Sequence, residues 1–171
     1  MRELDNGSKQ WTFRGRSTGE FKFGRAGTGT DQIGMLFEVL DGEWAGRKSV
    51  WYGTLGSSDA IALAREAIEA CSGKPLEKWT DVFGAATPRG NHLYLEELKK
   101  SEVTLVFEQR PDDDRPRLCF INRVGVFMKD ELDARGVKGL LSRLDRESPS
   151  DRPARGSRSA AQDDVPPEAY R

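Results

Sequence analysis

Hydrophobic and polar positions alternate most regularly between Thr30 and Leu55. Ile33, Met35, Phe37 and Val39 interleave with Gln32, Gly34, Leu36 and Glu38. Asp41, Gly42, Glu43, Ala45 and Gly46 follow, and a second run ends Val50, Trp51, Tyr52, Gly53, Thr54, Leu55. Alternation of period two, interrupted by a glycine-rich polar stretch, predicts one long β-hairpin. A strand carrying Phe21, Lys22 and Phe23 precedes it. After it, Ser57 and Ser58 are both suitable N-caps, and Ile61, Ala64, Ile68 and Cys71 recur on one helical stripe. That helix should stop at Gly73, with Pro75 beyond.

Residues 74–91 lose periodicity and read as a long loop anchored by Trp79 and Phe83, available to line a groove. A short helical turn near Leu95 to Leu98 leads to a second hairpin. Val103, Leu105 and Phe107 alternate with polar residues on its first arm, and Arg117, Cys119 and Ile121 alternate with Leu118, Phe120 and Asn122 on its second. Val137, Leu140, Leu141 and Leu144 then have the spacing of a closing helix, weakened by Gly136 and Gly139. The chain is therefore mainly β with one or two helices, in the order strand, strand, strand, helix, strand, strand. That is the order of an OB-fold, a partly open five-stranded barrel. A mixed α+β sheet with helices on one face would read similarly.

Length sets the domain plan: 171 residues suffice for one core and a tail. The expected domain is 1–146. Residues 147–171 contain only Val165 and Tyr170 as sizeable apolar groups among prolines, serines and arginines, which predicts a disordered tail, first cationic and then acidic. No apolar run approaches the roughly 18 to 20 residues of a membrane span, and residues 1–8 are polar, so the expected location is the cytoplasm. Cys71 and Cys119 lie far apart without Cys or His at metal-ligand spacing and read as small core residues.

Net charge is −1, so a polyanion could be held only at a local basic patch. Between Lys9 and Arg25 the cations Lys9, Arg14, Arg16, Lys22 and Arg25 face only Glu20, with Trp11, Phe13, Phe21 and Phe23 interleaved. Rings stack bases while cations track phosphates, so this composition suits a single-strand binder; it equally suits a strand with one face in the core. The glycines between Gly24 and Gly29 lack a P-loop pattern. Asp112, Asp113 and Asp114 read as turn residues rather than as ligands for a divalent cation. One histidine, His92, and no paired carboxylates with an argued base or nucleophile speak against an enzyme.

Short matches in consistent order carry a resemblance. Gly29 to Gln32, Phe37 to Val39, then Gly42, Glu43, Ala45, Gly46 and Arg47, and Trp51 to Thr54 resemble a family of small bacteriophage replication and recombination proteins that look like single-stranded-DNA-binding proteins. Ala67, Ala70, Cys71, the pair Glu102 and Val103, and Ile121 to Arg123 extend the likeness, which covers about Gly19 to Arg123. Asp163, Asp164, Val165 and Pro166 resemble the acidic partner-recruiting tip of bacterial single-strand binders, with Pro167 where the terminal phenylalanine would stand. The resemblance implies an OB-fold-like domain that binds single-stranded DNA without sequence readout or cofactor, in the host cytoplasm if phage-encoded. Replication or recombination proteins are the partners it implies for the tail.

The residues expected to contact DNA are Phe21, Lys22, Phe23 and Arg25 on the first strand, Lys48, Trp51 and Tyr52 on the third, and Arg123 on the last. Trp51 and Tyr52 must face opposite ways, so one of them belongs to the core. The second class of function is a β-barrel adaptor that binds protein partners, with the rings as core. Open sheet edges would also allow the chain to pair with itself.

Overall fold

The computed structural model describes residues 1–119 and 128–146, with 128–130 described at the backbone alone. Arg123 and the tail residues Asp163, Asp164, Val165 and Pro166 lie outside the described residues. The fold is mainly β, an open antiparallel sheet with three helices. The strands are β1 (Arg2–Glu3), β2 (Lys9–Ala26), β3 (Asp31–Val39), β4 (Lys48–Thr54), β5 (Thr87–Arg89), β6 (His92–Tyr94), β7 (Val103–Gln109), β8 (Arg117–Leu118) and β9 (Met128–Glu131). The helices are α1 (Ser58–Ser72), α2 (Trp79–Phe83) and α3 (Ala134–Arg146). Among the described residues no helix is long and apolar enough to cross a membrane.

The long strand β2 organises the sheet. Its first half pairs with β7 from Lys9↔Gln109 to Gly15↔Val103, while its second half pairs with β6 and β9. Along its other edge β3 pairs through both halves, with the register shifting between Ser17 and Phe21. Gly19 sits inside that irregularity at φ 85°, and a Cβ there would stand 2.7 Å from the Tyr94 ring. A side chain is therefore excluded twice, by conformation and by space. The bulge lets one strand turn from one set of partners to another.

The expected hairpin is present, with β3 and β4 paired from Gln32↔Thr54 to Glu38↔Lys48. Ile33, Met35, Phe37 and Val39 are fully buried, as their alternation requires. Helix α1 packs Ile61, Ala64, Ile68 and Cys71 into the same core. Of the two serines, Ser57 is the cap, its Oγ accepting from Ala60 N–H at 3.2 Å, and Gly73 ends the helix at φ 71°.

Two expectations change. The second hairpin, β7 with β8, is present, but among the described residues no ladder joins β4 to β8, so the sheet is open where a five-stranded barrel would close. The stretch 74–91 holds α2 and most of a β5–β6 hairpin rather than one loop. Its order comes from remote residues. Buried Arg65 of α1 donates to the carbonyls of Leu76 and Glu77. Asp145 of α3 accepts from Trp79 N–H at 2.7 Å and from the Thr80 hydroxyl at 2.6 Å, supplying α2 with the N-cap that Lys78 does not. Arg143 ties α3 to β3 through Asp31, at 3.1 Å.

Candidate functional site

Strand β4 presents two chemistries because its side chains alternate. Trp51 is fully buried, and Tyr52 is half-buried on the opposite face beside Val50 and exposed Lys48. Three ladder partners put Lys22, Gly34 and Tyr52 in one row across the sheet. Gly34 keeps that row flat: a Cβ there would lie 3.3 Å from the Tyr52 ring and 3.4 Å from the Lys22 stem. The ring and the alkyl stem thus share one surface.

The turn between β7 and β8 brings the opposing wall. Asp113 accepts from Arg110 N–H at 3.3 Å and pairs with half-buried Arg117 at 2.8 Å, while its own carbonyl accepts from Gln109 at 2.9 Å. The aspartate run is therefore used as a turn former, and the turn sets Arg115, Pro116 and Arg117 opposite β4. A groove of about 290 Å³ lies along this unclosed seam. Arg47, Lys48, Arg115 and Arg117 line it together with Tyr52, over apolar Leu36, Val50 and Leu118, and none of its described lining residues is acidic. Among the described residues no acid pairs with Arg47, Lys48 or Arg115, although Glu38 opposes Lys48 in the ladder. A groove with a polarisable ring and several uncompensated cations can hold phosphates and an unstacked base.

Only part of the expected DNA-contacting set meets here. Lys48 and Tyr52 line the groove, and Lys22 adjoins it through Gly34, paired with Glu131 at 3.3 Å. Arg25 pairs instead with Asp31 at 3.2 Å. Phe21 and Phe23 require correction as stacking rings, and of the pair Trp51 and Tyr52 it is Trp51 that belongs to the core: all three buried rings are at most 2% exposed. Phe21 and Phe23 lie edge to face with each other and with Phe83, at centroid distances of 5.0 to 5.8 Å. Stacking a base on them would require opening that cluster. Arg47, Arg115 and Arg117 were absent from the expected set, and charge flanking two turns gives no local sign that the turns meet.

A second cavity, about 640 Å³, lies between β2, α2, the β5–β6 hairpin and α3. Phe23, Phe83, Leu93, Leu132, Val137 and Leu141 give it apolar walls, with Lys22 and His92 at its polar edge. The two thiols take no part in either site. Cys71 is fully buried and its pKa is pushed up to about 12 by desolvation, and Cys119 is buried as well. No protein-family model, curated protein or solved structure matches the chain.

Proposed function

We propose that this chain binds single-stranded DNA, without chemistry and without sequence readout, along the groove between β4 and β8. The observation that carries the reading is the convergence of Arg47, Lys48, Arg115 and Arg117 with the Tyr52 ring on one seam free of lining acids. Cations there compete for phosphate, and a half-buried ring accepts any base because every base has a π-face. An aromatic ring can stack only a base whose face is exposed, which favours an unpaired strand over a duplex. Chain order supports an OB-like arrangement, with β2, β3, β4, α1, β7 and β8 in sequence and β2 flanked by β3 and β7. The resemblance to phage single-strand binders points the same way, and a role in phage replication or recombination follows from that resemblance alone.

The test is affinity for a thymidine homopolymer against duplex DNA across a salt series. Tighter binding to the single strand is expected, with log affinity falling against log salt at a slope near 2 if three uncompensated cations each meet a phosphate, at about 0.7 per phosphate. Lys48→Ala or Arg115→Ala should each reduce that slope by about 0.7. Equal affinity for duplex and single strand, or none for either, defeats the reading. The apolar cavity favours a second reading, an adaptor that binds a protein segment, and absence of nucleic-acid binding would leave that one standing.

A further inference from the structure

We infer that Trp44, which lies under the groove residue Arg47, is a second base-stacking platform that Arg47 covers until a strand arrives. This rests on the groove reading above and adds a subsite to it. Trp44 belongs to the 3-10 turn between β3 and β4, and the Arg47 N–H donates to the Trp44 carbonyl at 2.9 Å, fixing the spacing of the two residues. The indole is half-buried. Its ring packs against Phe13 at 4.9 Å, Phe107 at 5.1 Å and Trp11 at 5.2 Å, which hold it in place from the core side. Arg47, itself exposed, lies over the indole with its guanidinium carbon 4.7 Å from the ring centroid. Arg47 also lines the cationic groove, so ring and groove are continuous.

A planar cation over a held indole occupies the position a flat base would take. An exposed cation–π contact is weaker than base–aromatic stacking, so a base arriving on a strand displaces the guanidinium, which then meets phosphate or the outer face of that base. Tyr52 lies five positions along the chain from Arg47, the residue that covers Trp44. The β4 segment from Lys48 to Tyr52 alone spans roughly 13 Å at about 3.3 Å per residue, so the two rings receive different bases of one strand. Core packing alone explains why Trp44 is apolar; it does not explain why its cover is an exposed arginine that also lines the groove.

The experiment uses the full chain and two oligomers of equal length, thymidine homopolymer and its abasic counterpart, which keeps sugar and phosphate but has no base. Trp44→Ala should weaken binding of the thymidine oligomer about 5- to 150-fold while changing the abasic oligomer less than twofold. Equal loss on both oligomers, or loss on neither, overturns the inference. Because the alanine variant removes a ring from a packed cluster, Trp44→Phe is measured as well. The unaltered chain and Trp11→Phe should both show fluorescence quenching when the thymidine oligomer binds, and Trp44→Phe should lose most of it; quenching undiminished in Trp44→Phe overturns the inference even if the alanine variant fails to fold. If the unaltered chain binds neither oligomer, the groove reading itself fails and this subsite fails with it. Binding with an intact response in Trp44→Phe overturns the subsite alone.

Discussion

Trp51 and Tyr52 are neighbours in sequence, yet the backbone sends them to regions with different physics. On the Trp51 side, β2, β3 and β4 bury Phe21, Phe23, Met35 and Phe37 against α1 and α2. On the Tyr52 side, the same strands meet a turn across an open seam, and four cations gather there with no described lining acid. The first region holds the fold together by excluding water. The second gathers a half-buried ring and four cations along one groove. An aromatic residue in a strand therefore reports nothing about binding until its face is known.

The largest expected effect comes from erasing the buried member of the pair. Trp51→Ala should cost about 3–5 kcal/mol of stability, because a large ring leaves a cavity at a site with no exposure. Chemical denaturation measures it. Affinity of whatever fraction stays folded should be unchanged, and a variant with a normal midpoint but selectively lost DNA binding would reverse the assignment of the two faces.

Tyr52→Ala should do the opposite. Its ring lies over Gly34 on the groove face, so removing it should cost about 1–3 kcal/mol of binding to a thymidine homopolymer with a much smaller shift of the denaturation midpoint. The two variants measured side by side separate a ring that packs from a ring that binds. Equal destabilisation by both would show that the two faces of β4 are alike in use.

Much of the packed region was legible in the sequence. Ile33, Met35, Phe37 and Val39 alternate because they share a buried face, and the Ser57 and Gly73 signals bound α1 because capping chemistry is local. Parity along β2 carried more than its composition did: Phe21 and Phe23 share one face, so Lys22 between them must point to the other. Rings and a cation interleaved in sequence are thereby separated in space. The groove was only half legible. Lys48 and Tyr52 lie on one strand, whereas Arg115 and Arg117 reach them through a turn whose position depends on tertiary packing. Helix α2 was illegible for the same reason, since its cap is Asp145, on an element far along the chain.

That remote cap gives the smallest expected effect, and it asks whether the packed side and the groove are energetically separate. Asp145 accepts from the Trp79 N–H and the Thr80 hydroxyl, so Asp145→Ala leaves the first turn of α2 without its acceptor and loosens the attachment of α3. Loss of an N-cap typically costs about 1 kcal/mol, within a range of roughly 0.5–2. α3 keeps its buried Leu140, Leu141 and Leu144 and the Arg143–Asp31 pair, so it should stay docked and the denaturation transition should shift without splitting. None of these groups lines the seam between β4 and β8, so DNA affinity and its salt slope should match those of the unaltered chain within about twofold, the additivity expected of sites without shared partners. A tenfold loss of affinity accompanying a 1 kcal/mol loss of stability would mean that the groove depends on how α3 is held, and the division between a packing face and a binding face of β4 would then need to include α3.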